Sequence, residues 1–174
     1  MLRVNLKYPF LFVLLILLQV FIFNNIQVSG YINPQIYVFF ILVLPLNIRG
    51  WKLLLIAFGM GLIIDAFADS LAIHALSSLF MAFCRPTALK VLGGNPDPDE
   101  TTSPSYYNIG LFSLFLYSFV LILIHHTSLF LLELFRFNEL IETMNRSLIS
   151  SSLTMLFVMV AYAFWGKSGD EKPY

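Results

Sequence analysis

The chain has 174 residues, 59% hydrophobic and 11% charged, with ten basic and ten acidic side chains and a mean hydropathy of +0.82. Soluble domains carry roughly 25% charged residues, so this chain lacks the charge to solvate a globular surface and reads as an integral membrane protein. The balanced charge excludes the basic footprint of a nucleic-acid binder, and the single Cys84 excludes an intrachain disulfide framework or a cysteine-only metal site.

Arg3 and Lys7 precede the apolar run YPFLFVLLILLQVFIF. A signal peptide would continue into a small-x-small cleavage site, but Asn24, Asn25, Ile26 and Gln27 follow, which predicts a retained first span. Crossing a bilayer core of about 30 Å takes about 20 helical residues, fewer where flanking side chains snorkel. On that criterion the sequence predicts six transmembrane helices in one membrane domain covering 1–174, over residues 8–23, 36–48, 53–68, 71–83, 106–128 and 147–165. The second is short and ends near Pro45, so it is kinked there or continues to Trp51. The fourth reaches full length only by continuing past Pro86 toward Leu92. The fifth apolar run goes on to Phe135, which places the membrane exit at His125-His126-Thr127-Ser128 and 129–135 along the interface.

The stretch 93–105, GGNPDPDETTSPS, has glycines, prolines and acids that forbid a helix and predict a flexible cytoplasmic loop. Basic residues set the orientation. With the N-terminus in the cytoplasm, one side carries Arg3, Lys7, Arg49, Lys52, Arg85, Lys90, Lys167 and Lys172, and the other only Arg136 and Arg146. Eight against two is a strong positive-inside bias and puts both termini in the cytoplasm.

The polar residues inside the spans are the candidate functional ones. In GMGLIIDAFADSLAIHAL, residues 59–76, Gly61 and Asp65 continue the four-residue spacing that begins at Ala57, and the three share one helix face. Small residues at that spacing let a second helix approach closely, since packing drives association in lipid. Asp69 or Ser70 can cap the next helix, which makes the stretch a tight hairpin at the outer face. Asp65 is then either an interfacial, hydrated carboxylate or one that faces the bundle and bonds a neighbouring helix or a partner. His74 is placed to reach back to it. His125 and His126 are adjacent, so their side chains diverge by about 100° and make no bidentate metal site; they read as interface residues. Glu133, Glu139 and Glu142 read as a scattered acidic outer loop. In the last span Ser147, Ser151 and Thr154 share a face, with Ser150 beside them, suited to a close helix crossing. Cys84 reads as a small buried hydrophobe. No phosphate-binding glycine loop, catalytic set, cofactor motif or metal-ligand spacing is present in the sequence.

These residues resemble the MreD family, the small membrane subunit of the bacterial cell-elongation machinery, over essentially the whole chain. The resemblance centres on Gly61-x-x-x-Asp65 followed by Ser70-Leu71-Ala72-Ile73-His74-Ala75-Leu76, with Ala72 standing where the family often has glycine. Asn33-Pro34, Leu44-Pro45 and the short basic turn 47–52 extend it. The resemblance implies a non-enzymatic scaffold without cofactor in the bacterial cytoplasmic (inner) membrane. It would bind MreC and link MreB to the wall glycan polymerase and transpeptidase of lateral peptidoglycan synthesis, and so maintain rod shape. It further implies a fold similar to the six-helix substrate-binding subunits of energy-coupling-factor vitamin transporters. Membership of that transporter class is the alternative function. Against it, those subunits resemble one another in small-x-x-x-small spacing on the first span, which here is FLFVLLILLQVFIF. A lipid-modifying enzyme would need convergent carboxylates or a histidine motif at the cytoplasmic interface, and the sequence has neither. Ala57, Gly61, Asp65, His74, Ser147 and Ser151 are the expected helix-packing or partner-interface residues.

Overall fold

The computed structural model describes residues 6–25, 33–93, 103–105, 109–134 and 140–166. Every regular element among them is helical. Helix α1 spans Lys7–Phe21 and is continued by a 3-10 turn at Phe23–Asn25; α2 is Val38–Val43, α3 Gly50–Ala68, α4 Ile73–Leu92, α5 Leu111–Leu134 and α6 Leu140–Gly166. Five of them, all but α2, are long and apolar enough to cross a membrane. The chain is a multi-pass membrane protein.

Helix α3 packs on α4, α4 on α5, and α5 on α6, while α1 lies against α3. Large apolar side chains such as Phe10, Phe112, Ile141 and Phe164 cover the outside of the bundle. They need no protein partner where the surrounding solvent is hydrocarbon. The first and last helices meet at one end of the bundle. Tyr8 and Trp165 rings are 5.8 Å apart, the Lys7 ammonium sits 3.6 Å from the centre of the Trp165 ring, and the Tyr8 hydroxyl is 2.8 Å from Ser103 Oγ. Residues 94–102 of the expected loop lie outside the described residues.

The expected span over 36–48 takes a different form. Only six of its residues are α-helical, and proline explains where it ends. Leu44 precedes Pro45 and adopts φ −56°, ψ 146°, the extended conformation that a following proline imposes. From Gln35 to Leu44 every residue is buried, so α2 is the axis around which the long helices stand. Its end groups cannot turn to water and are bonded by side chains from other helices. Gln19 of α1 accepts from the Ile36 amide at 2.8 Å and donates to Pro34 O at 3.1 Å. The Gln35 amide donates to Thr154 Oγ1 of α6 at 3.1 Å. At the other end Arg85 of α4, only 1% exposed, donates to Leu44 O through Nη2 and to the Tyr117 hydroxyl through Nε at 3.1 Å. Tyr117 in turn donates to Leu42 O at 3.2 Å. A cation at a helix C-terminus meets the negative end of the helix dipole. Irregular backbone at membrane depth persists only when protein satisfies it, and these four side chains do so.

Two boundary expectations are resolved by the structure. Helix α4 runs through Pro86 to Leu92, the longer of the two forms expected. Helix α5, in contrast, does not end at His125-His126. It is continuous to Leu134, about 36 Å at 1.5 Å per residue, with both histidines fully buried. The reason is α6, which begins at Leu140 rather than at residue 147 and supplies a packing face for the far half of α5. At that end of the pair Arg146 and Glu133 form an ion pair at 3.2 Å, and the Arg146 guanidinium lies 4.1 Å from the Phe130 ring centre. The supposed acidic outer loop is thus largely helix: Glu133 lies in the last turn of α5, Glu142 in the first turn of α6, and Glu139 outside the described residues.

Candidate functional site: the buried polar groups of the bundle

The α3–α4 hairpin is built around Asp65. Helix α3 ends with Asp69 in the left-handed region at φ 51°, its amide bonded to Asp65 O, and α4 starts after Ala72, also left-handed at φ 58°. This reversal brings the start of α4 back onto the last turns of α3. The expected caps, Asp69 and Ser70, do not cap α4; the residue at its N-cap position is Ala72, which has no side chain to do so. Asp65 takes that role from the preceding helix. Its Oδ1 accepts from the His74 amide at 3.0 Å and its Oδ2 from the Ala75 amide at 2.9 Å. The Ser70 hydroxyl donates to Oδ1 at 2.5 Å, and His74 Nδ1 lies 2.9 Å from the same oxygen. A carboxylate at a helix N-terminus is also favoured by the dipole. Of the two readings open for Asp65, the bundle-facing one holds: it is 4% exposed.

Gly61 shows why the hairpin closes so tightly. A Cβ built there would meet Ala75 Cα at 2.4 Å, Ala75 N at 2.6 Å and His74 O at 2.6 Å. All three are backbone atoms and cannot rotate away, so even alanine has no room. Ala57, one turn earlier, is fully buried on the same face.

Ser70, His74 and Asp65 are the residue types of a nucleophilic triad, but their geometry differs from one. A triad needs the serine hydroxyl to donate to one imidazole nitrogen while the carboxylate holds the other. Here Ser70 and Asp65 both approach Nδ1, at 3.1 and 2.9 Å. Since a carboxylate only accepts, Ser70 Oγ–H and His74 Nδ1–H both donate to Asp65, and the imidazole takes no proton from the serine. The arrangement is a capping knot.

A second group of polar side chains fills the bundle beside α2. Ser78 donates to the Tyr37 hydroxyl at 3.3 Å, and that hydroxyl shares a hydrogen bond with His125 Nε2, 2.8 Å away. His126 Nδ1 donates to Ile122 O at 3.0 Å, which leaves Nε2 to accept from Thr154 Oγ1 at 3.3 Å. The two histidines, expected at the interface, form the middle of the core because α5 carries them between α2 and α6. Ser147 and Ser151, together with Ser150 and Thr154, are fully buried on α6. Ser147 donates to Thr143 O at 2.8 Å. Of these residues Thr154 bonds α5, through His126, and none is hydrogen-bonded to the Asp65 knot among the described residues. Cys84 is half-buried. No group of three metal-ligating side chains converges among the described residues.

Gln19, Tyr37 and Arg85 were not singled out from the sequence as site residues. Gln19 and Arg85 carried a usable signal, since a strongly polar side chain inside an apolar span faces protein. Tyr37 carried none, because a tyrosine beside a span is equally at home at the membrane surface. The chain matches no protein-family model, no curated protein and no solved structure.

Proposed function

We propose that the chain is a non-enzymatic membrane scaffold of the MreD type, a subunit that acts by holding partners in the cell-elongation complex. The observation that carries this reading is the Asp65 carboxylate. It is the only buried acid among the described residues, and its accepting capacity is taken up by two backbone amides, Ser70 and His74. General acid–base chemistry needs a group free to exchange a proton with a bound substrate, and Asp65 is fixed inside the fold. The sequence resemblance to MreD, centred on this same hairpin, supplies the proposed partners: MreC, and through it MreB and the wall glycan polymerase and transpeptidase.

The proposed topology has six crossings of the bacterial cytoplasmic membrane, with segment 33–49 as an interrupted crossing and both termini cytoplasmic. Two facts support it. The Tyr8–Trp165 contact brings the start of α1 and the end of α6 to one end of the bundle, which an odd number of crossings does not allow. With only the five long helices crossing, the basic residues would divide almost evenly and the positive-inside bias would vanish.

Crosslinking in native membranes followed by mass spectrometry of the copurified proteins tests the function. Recovery of an MreC-like single-span protein with wall synthases is the expected result. Recovery of a transporter ATPase in their place would reassign the chain to the energy-coupling-factor class.

A further inference from the structure

On the outside of the α3–α4 hairpin a groove of about 380 Å³ lies between Leu54 of α3 and Leu76, Leu79, Phe80 and Phe83 of α4. All five side chains are apolar, and Leu76, Phe80 and Phe83 remain 44%, 51% and 69% exposed. The face continues past the groove. Leu76, Phe80, Phe83, Thr87 and Lys90 recur at helical spacing on α4 and all are exposed. Lys90 thus stands about 10 Å beyond Phe83 on the same stripe. Gly61 lies against Ala75, and Leu54 shares the groove with Phe83. This antiparallel register puts the first turn of α3 level with Phe83 to Pro86. Trp51 is there, one turn before Leu54 and 58% exposed, with the Lys52 ammonium 5.6 Å from its ring centre. The groove therefore ends at an aromatic ring and two lysines.

Shape and charge together define the occupant. A partner helix comes close in lipid over small residues, and those of this hairpin, Ala57 and Gly61, are buried on its inner side. The groove presents leucine and phenylalanine, between which a single flexible chain can lie. From Leu76 to Lys90 the stripe runs about 21 Å, close to the depth of one leaflet with its headgroups, about 20–22 Å. Arg49, Lys52 and Lys90 are exposed, and none forms an ion pair among the described residues. The described acids lie elsewhere: Asp65 and Asp69 at the opposite end of the hairpin, Glu133 and Glu142 where α5 gives way to α6. Exposed cations beside a span attract anionic lipid, and tryptophan favours the headgroup level. We propose that the outer groove of the α3–α4 hairpin binds an anionic phospholipid, with one acyl chain in the groove and the phosphate held by Lys52 and Lys90. The site rests on the membrane-spanning fold alone; it does not depend on the scaffold reading or on the orientation of the chain.

Two measurements on the full chain test it. In the first, Trp165→Phe leaves Trp51 as the one tryptophan, and the protein is reconstituted in phosphatidylcholine vesicles. Quenching of Trp51 is followed as phosphatidylglycerol with brominated acyl chains replaces the host lipid, against brominated phosphatidylcholine as the reference. The expected result is a preference of at least about fivefold for phosphatidylglycerol. It should fall below about twofold when Lys52→Gln and Lys90→Gln are combined, and likewise in Leu79→Phe, which fills the groove and leaves both lysines in place. Equal quenching by the two lipids overturns the site, because ordinary boundary lipid then covers the face. A preference that survives either change overturns it as well. The second measurement needs no variant of the lysines: benzoylphenylalanine replaces Phe83 and is irradiated in native membranes. An adduct with the mass of an anionic phospholipid is expected. A zwitterionic lipid in its place, or a polypeptide (a second copy or another protein), overturns the proposal.

Discussion

Ala72 holds a conformation that its side chain disfavours. At φ 58° a Cβ crowds the following carbonyl, at a cost of about 1–2 kcal/mol that glycine escapes. Glycine recovers only part of this, since it also loses more backbone freedom on folding, about 0.5–1 kcal/mol. Ala72→Gly should therefore raise the melting temperature of the purified protein by about 1–2 °C, and Ala72→Val, β-branched at the same φ, should lower it. A lower value for glycine would mean that the Ala72 methyl group contributes packing that exceeds its strain. Gly61 is the opposite case, where the side chain is forbidden by its surroundings rather than by its own φ. The sequence pattern marks it as a small residue for close approach, and the distance to the Ala75 backbone makes glycine the only residue that fits.

Among the elements, α2 depends most on the rest of the molecule. Six residues are far below the length at which a helix is stable alone, and its ends lie where water cannot reach them. Gln19 and Arg85 are therefore worth more than their exposed counterparts would be. Arg85→Leu leaves Leu44 O and the Tyr117 hydroxyl each short of a donor, at about 1–3 kcal/mol per group. The expected outcome is a marked fall in membrane yield and a melting temperature lower by about 4 °C or more. Arg85→Lys keeps the charge but cannot form both bonds from one planar group, so it should fall between wild type and leucine. Equal behaviour of lysine and arginine would show that charge alone, and not the fork of Nε and Nη2, holds the end of α2.

At the scale of the whole molecule the question is how often the chain crosses the bilayer. Five long helices and one short buried helix give six crossings only if segment 33–49 connects opposite faces. Its contacts point that way: its start is bonded by Gln19 from the second half of α1, and its end by Arg85 from the second half of α4. In the proposed order those two regions lie toward opposite membrane surfaces. Reporter fusions after Asp99 and after Tyr174 should both read as cytoplasmic, and one at Glu139 as exterior. A cytoplasmic reading at Glu139 would overturn this arrangement, and so would an exterior reading at Asp99 or Tyr174.

Composition and run length alone determined that the chain is helical and embedded in a membrane, because hydrocarbon admits so few ways to satisfy a backbone. The α3–α4 hairpin was also legible, since Ala57, Gly61 and Asp65 at four-residue spacing define a face and His74 falls within reach of it. That Asp65 and not Asp69 or Ser70 caps α4 was decided by the two left-handed residues of the turn, whose conformation no local preference of aspartate or alanine demands. The burial of His125 and His126 was likewise a tertiary matter: an apolar run ending in histidines is the same string whether α6 packs beside it or not. The shape of segment 36–48 combines both levels. Pro45 set its limit in the sequence, but only Gln19, Arg85, Tyr117 and Thr154, brought from four other helices, made a six-residue helix tenable in the centre of the bundle.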